Sequence, residues 1–251
     1  MRIGIQQISN IFRTESRWRA LFASLLLSTI GYGLYKGIFD NYMAEVAQMN
    51  ELDRGITEFF RELPGLLLIV ILAICYKASA EKMYKWSMVI MAAGMALQAW
   101  IAPEKAAIIM VVFLFSTGEH IQIGMRNTLS LEYSKPGHGG LALGYQNSIM
   151  QIGNLIGYAV VIGLFAWMAS ARLFKPLFWA AAALMAGAML ISFRLTSNSQ
   201  TDKSKSRFYF RKKFRKYYWL EMFYGARKQV FFTFGPYVLI LFYGADAGVI
   251  S

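Results

Sequence analysis

Long apolar runs separated by short charged segments set the pattern of this chain. The runs extend from about Trp18 to Met43, from Phe59 or Pro64 to Tyr76, from Tyr84 to Ile101 and from Lys105 to Tyr133. A fifth follows Pro136-Gly137-His138-Gly139 and ends near Ala169, a sixth covers Leu173 to Leu195, and a seventh covers Tyr217 to Tyr243. Apolar stretches of about 18 or more residues are long enough to cross a hydrocarbon core as helices, so the pattern predicts seven spanning helices. Small residues recur at helical spacing: Gly140 with Gly144, Gly153 with Gly157, and Ala180 to Ala183 with Ala186-Gly187-Ala188. In lipid such stripes let two backbones approach closely, so each marks an expected helix–helix contact.

The last helix repeats the first. Tyr32-Gly33-Leu34-Tyr35-Lys36-Gly37-Ile38-Phe39 returns as Tyr224-Gly225-Ala226-Arg227-Lys228-Gln229-Val230-Phe231, with Tyr, Gly, Lys and Phe identical at constant offset. Asp53-Arg54-Gly55-Ile56-Thr57 is echoed, one residue out of step, by Asp246-Ala247-Gly248-Val249-Ile250-Ser251. Both copies occupy the first strongly apolar helix after a basic segment, which reads as one helix in two halves of a repeated fold. The expected divisions are an N-terminal segment (1–17), a six-helix unit (18–195), a basic linker (196–216) and the opening helix of a second half (217–251). The second copy stops with the chain, so an incomplete second half is expected.

Composition agrees with a membrane protein: 57% of the 251 residues are hydrophobic and 16% are charged. The formal charge of +12 sits in short loops between apolar runs rather than on one stripe, which argues against nucleic acid. Cys75 is the single cysteine, so neither a disulfide framework nor a cysteine-rich metal site is expected, and no motif calls for a cofactor. Arg2, Arg13, Arg17 and Arg19 precede the first run as in a signal peptide, but that run is too long and lacks a small-residue cleavage site. It is read as a retained helix.

Basic loops face the cytoplasm. With the N-terminus inside, that side carries Lys77, Lys82, Lys85, Arg126, Lys135 and the run Arg194 to Lys216. The other side carries fewer bases and the acids Asp40, Glu45, Glu51, Asp53, Glu58 and Glu62. Trp18, Trp86 and Trp219 fall at inner helix ends and Trp100, Trp167 and Trp179 at or near outer ones, as expected of an interfacial ring with one polar N–H. An inner-membrane protein with a cytoplasmic N-terminus is expected. The cluster Arg211-Lys212-Lys213-Phe214-Arg215-Lys216 in the linker reads either as a lipid-headgroup contact or as a solvated basic linker.

Six helices, a basic linker and a seventh helix repeating the first resemble the major facilitator superfamily of transporters. That resemblance implies an all-α bundle, alternating access, and a central cavity lined by helices 1, 4 and 7 within this chain. The family's loop signature between helices 2 and 3 is matched by Glu81, Lys82 and Lys85, while both of its glycines and its last base are replaced here. Arg227-Lys228 followed by Pro236-Tyr237 is also similar to helix 1 of organophosphate:phosphate antiporters. Helix 1 of this chain has Tyr35 where that pattern has arginine.

Charges within apolar helices cost about 2.5–3.5 kcal/mol each on insertion scales, so they point to function. Lys36 stands in the first helix, Glu119, His120, Gln122 and Arg126 in the fourth, and Glu221, Arg227 and Lys228 in the seventh. Glu119, Gln122 and Arg126 share a face. Glu119 reads either as a packing partner of a base or as a proton-coupling carboxylate, and His120 either as a titrating group or as a hydrogen-bonded contact. Asn147, Gln151 and Asn154 form a polar face on the fifth helix, for interhelical bonding or for the cavity wall. Lys36 and Lys228, equivalent in the repeat, suit an anionic solute, or else snorkel or pair with acids such as Glu119. With Glu119 and Glu221 as the acids within helices, Lys36, Arg227 and Lys228 leave one positive charge in excess. The expected partners are therefore a lipid bilayer, a small solute with anionic character, and a coupling proton or ion. A seven-helix receptor or retinal protein is the alternative, since Lys228 lies in the seventh helix. No paired aspartates, second membrane histidine or nucleophile motif suggests an enzyme.

Overall fold

Every long apolar run becomes a helix. The structure, a computed structural model, describes residues 11–168, 170–196 and 212–251; the side chains at 221, 222 and 224–230 lie outside that description. The helices are α1 (Glu15–Asn41), α2 (Glu51–Ile74), α3 (Ala80–Trp100), α4 (Lys105–Tyr133), α5 (Gly139–Trp167), α6 (Phe174–Ser192), α7 (Arg215–Tyr243) and a short α8 (Ala247–Ile250). A π-helical turn, Tyr42–Val46, extends α1. Most of the expected linker, 197–211, lies outside the described residues.

The main departure is the start of α2. Asn50 accepts the Asp53 amide at 2.9 Å, and the Asp53 carboxylate accepts the Asn50 amide at 3.1 Å. This reciprocal cap satisfies two donors that the first turn would otherwise leave bare, and Glu51 and Asp53 suit the positive end of the helix dipole. The helix therefore begins eight residues before Phe59, and the acidic stretch expected as an outer loop forms its first turns.

Helices successive along the chain run in opposite directions, and α2 and α4 run parallel. Near one end, Ser24 of α1 touches the Tyr84 hydroxyl of α3 at 3.1 Å and donates to the Ala188 carbonyl of α6 at 3.0 Å. At the other end, Lys105 opening α4 meets Asp53 opening α2 at 2.5 Å. α1 packs along both α5 and α6, and α3 packs between α4 and α6. The α1–α5 crossing is closed by glycine: a Cβ on Gly157 would lie 2.6 Å from the Ile30 carbonyl oxygen and 2.7 Å from the Gly33 Cα. Gly31 meets Ala181 of α6 in the same way. The Gly153–Gly157 and alanine stripes thus make the expected contacts. Gly140 and Gly144 do not; a Cβ at either meets nothing within 4 Å among the described residues.

Four segments, Glu15–Val46, Lys105–Tyr133, Gly139–Trp167 and Ala171–Ser192, are long and apolar enough to cross a membrane. α2 falls short because its first half is charged. Large apolar side chains, among them Leu66, Ile74, Met110 and Leu155, face outward, as in a bundle whose surroundings are lipid. Five of the six tryptophans are exposed; Trp18 instead is buried against Phe12 and Phe22. The chain is an all-α integral membrane protein.

Candidate functional site

A cavity of about 550 Å³ opens where α1, α2, α4 and α5 meet α7 and α8. α3 and α6 contribute none of its lining residues. α7 closes one side with Phe232, Thr233 and Pro236, and is held there by the Tyr237 hydroxyl, which donates to the Met49 carbonyl at 2.8 Å. α8 closes another: Ser251 Oγ donates to the Gly37 carbonyl at 3.0 Å, and Asn41 Nδ2 donates to the Ala245 carbonyl at 2.9 Å.

The wall carries an alternating ladder of charges. Lys36 and Asp40 are one turn apart on α1, and their side chains meet at 3.1 Å. On α2 the spacing of Arg54, Glu58 and Arg61 puts all three on one face. Arg54, only 2% exposed, donates from Nε to Asp40 Oδ1 at 3.1 Å and from Nη1 to Glu58 Oε2 at 2.8 Å. Arg61 Nη2 reaches Glu58 Oε1 at 2.6 Å and also pairs with Glu62, while its Nη1 stands 4.0 Å from Glu119 Oε2 on α4. A buried ion costs several kcal/mol unless it is paired and hydrogen-bonded; here each cation lies between carboxylates or beside one. Three cations (Lys36, Arg54, Arg61) and three carboxylates (Asp40, Glu58, Glu119) line the cavity. Tyr32, Tyr35, Phe115 and Tyr158 add aromatic side chains to the same wall.

Of the residues singled out from sequence, Lys36, Glu119 and Gln151 reach the cavity. Lys36 pairs with Asp40 rather than with Glu119. Glu119 faces Arg61, while Arg126 donates to Gln122 on its own helix at 3.1 Å. Gln122 is buried beside Met88 and His120 lies against α2, so neither lines the cavity. Asn147 is exposed; the buried amide of that turn is Gln146, which accepts from Ser130 at 2.6 Å and donates to Asn127 at 2.8 Å. Asn154 sits next to Gln151, 3.5 Å away. Glu81, Lys82 and Lys85 open α3, where Ser79 caps the Lys82 amide and Glu81 pairs with Lys85. The side chains of Glu221, Arg227 and Lys228 lie outside the described residues. The expected cationic excess omitted Arg54, Glu58 and Arg61, whose segment read largely as loop, and Asp40, which was counted with the outer acids although it lies within the first apolar run. The signal was present: an Asn-x-x-Asp cap followed by acids and bases three and four apart.

No protein-family model matches the sequence, and no curated protein matches it. Solved structures do match by fold. A point mutant of the nucleoside transporter NupG superposes with a TM-score of 0.70 at 16% identity, covering 91% of this chain and 59% of its own. Another NupG structure gives 0.61 at 17% identity, covering 88% and 54%. The chain therefore shares the helical fold of these structures. It spans a little over half of their length. The similarity to organophosphate antiporters finds no counterpart among these matches.

Proposed function

We propose that this chain serves to carry a small polar solute across a membrane, with the ladder-lined cavity as the solute site. The observation that carries the reading is a polar cavity of small-molecule size, enclosed by the bundle helices in a fold otherwise known in nucleoside transporters. Lys36, Arg61, Glu119 and Gln151 would contact the solute. α1–α6 would form one half and α7 the opening helix of a second, and rocking of the halves would expose the cavity to each side in turn. The loop bases favour a cytoplasmic N-terminus, and an inner-membrane location fits that orientation.

The described wall charges balance, three against three, so nothing there supports the anionic solute expected from the sequence. A neutral nucleoside fits the wall better: rings for the base, and charged hydrogen-bonding groups for hydroxyls and carbonyls. The test is equilibrium binding of tritiated uridine to the chain in lipid nanodiscs. Saturable binding is expected, weakened about 10- to 150-fold by Glu119→Gln, the range for a hydrogen bond to a charged group. Asn147→Ala, on the exposed face, should leave it unchanged. Absence of saturable nucleoside binding, or equal binding by Glu119→Gln, contradicts the reading, and preferential binding of a sugar phosphate would restore the anionic solute.

A further inference from the structure

His120 lies off the cavity, in the crossing of α2 and α4. Its ring rests on Gly65, where an added Cβ would come within 2.6 Å of Nε2. Nδ1 is 2.9 Å from the Ser116 carbonyl and 3.0 Å from Ser116 Oγ. A carbonyl only accepts, and the Ser116 hydroxyl already donates to the Arg61 carbonyl across the crossing. Nδ1 must therefore carry a hydrogen. In the neutral ring that leaves Nε2 as a bare lone pair, and the atom it faces is Glu62 Oε2 at 3.7 Å. Two acceptors then oppose each other inside a helix crossing. Adding a proton at Nε2 turns the opposition into a charge-assisted hydrogen bond.

Among the described residues, the charged and titratable groups near the ring are Glu62 and Arg61 of α2 and Glu119 of α4. α7 adjoins Glu62 with Thr233 and Phe234, neither of which titrates. Glu62 is shared, since its other oxygen holds Arg61, which also serves Glu58 and Glu119 on the cavity wall. We propose that His120 and Glu62 form a proton-operated clasp between α2 and α4, acting through Arg61 on the cavity. Neutral His120 leaves Glu62 to Arg61. Protonated His120 draws on Glu62, and Arg61 turns its hydrogen bonds toward Glu58 and Glu119. The clasp goes beyond the transport reading and rests on it only for the effect on solute.

Only two histidines occur, His120 and His138, so histidine-selective isotope labelling gives two ring signals, assigned with His138→Asn. In nanodiscs, with the pH scanned from about 8 to 5, the His120 ring should start with its proton on Nδ1 and gain the second at Nε2. Glu62→Gln should move the midpoint of that gain down by about one unit or more, as loss of an opposite charge does; Glu62→Asp serves if the glutamine variant fails to fold. A ring that titrates at Nδ1, does not titrate in this range, or keeps its midpoint in the Glu62 variant overturns the clasp. For the link to the cavity, uridine affinity should change across the His120 midpoint in wild type and become flat there in His120→Gln. An unchanged profile in that variant overturns the link. A chain that binds no uridine under any condition refutes the solute reading instead, while the ring titration still decides the clasp.

Discussion

Arg54 is the residue on which the charge ladder depends. It is 2% exposed and touches two carboxylates on different helices. Replacing it by Met leaves Asp40 and Glu58 facing each other without their shared cation, which should cost about 3–5 kcal/mol. Lys36→Met removes a cation whose side chain is 32% exposed and should cost no more than about 1 kcal/mol. Unfolding by SDS in mixed micelles would rank the two; equal losses would mean that the ladder is not a buried network. Lys36 and Glu119 could be picked out in the sequence because each interrupts an apolar run. Asp40, Arg54 and Glu58 could not be placed by composition alone. A charged stretch looks the same whether it faces water or a partner helix, and only the cap at Asn50 and the three-and-four spacing distinguish the cases.

At the scale of elements, the same limit applies to glycine stripes. Gly140–Gly144 and Gly153–Gly157 have identical spacing on one helix, yet only the second pair meets α1. Spacing reveals that a backbone can be approached, not which neighbour approaches it. Gly157→Ala should destabilise the bundle by about 1–3 kcal/mol, the usual cost of overpacking, whereas Gly144→Ala meets open space. Thermal unfolding in detergent would separate them, and a harmless Gly157→Ala would show that the α1–α5 crossing is looser than described. The start of α2 admits a similar check: Asn50→Ala should lose about 1 kcal/mol of stability with its cap. The helices themselves were legible almost throughout, since a spanning run needs only length and apolarity. α2 was the exception because half of it is charged.

For the molecule as a whole, each of the two repeated helices, α1 and α7, is followed by a helix with a side-chain N-cap: Asn50 accepts the Asp53 amide at the start of α2, and Asp246 accepts the Val249 amide at the start of α8. The fold was legible from helix pattern and repeat together. The solute was not, because it depends on how charges from three helices cancel around one space. The central claim is that this space is a water-reachable solute site within a membrane-spanning bundle. Its most direct test is the reactivity of Gln151→Cys in a Cys75→Ala background, in membranes, toward a water-soluble maleimide with and without uridine. The account predicts labelling that saturating uridine slows, while a cysteine at exposed Asn147 is indifferent to uridine. A Gln151→Cys chain that remains unlabelled, or reacts equally fast with uridine present, would contradict it.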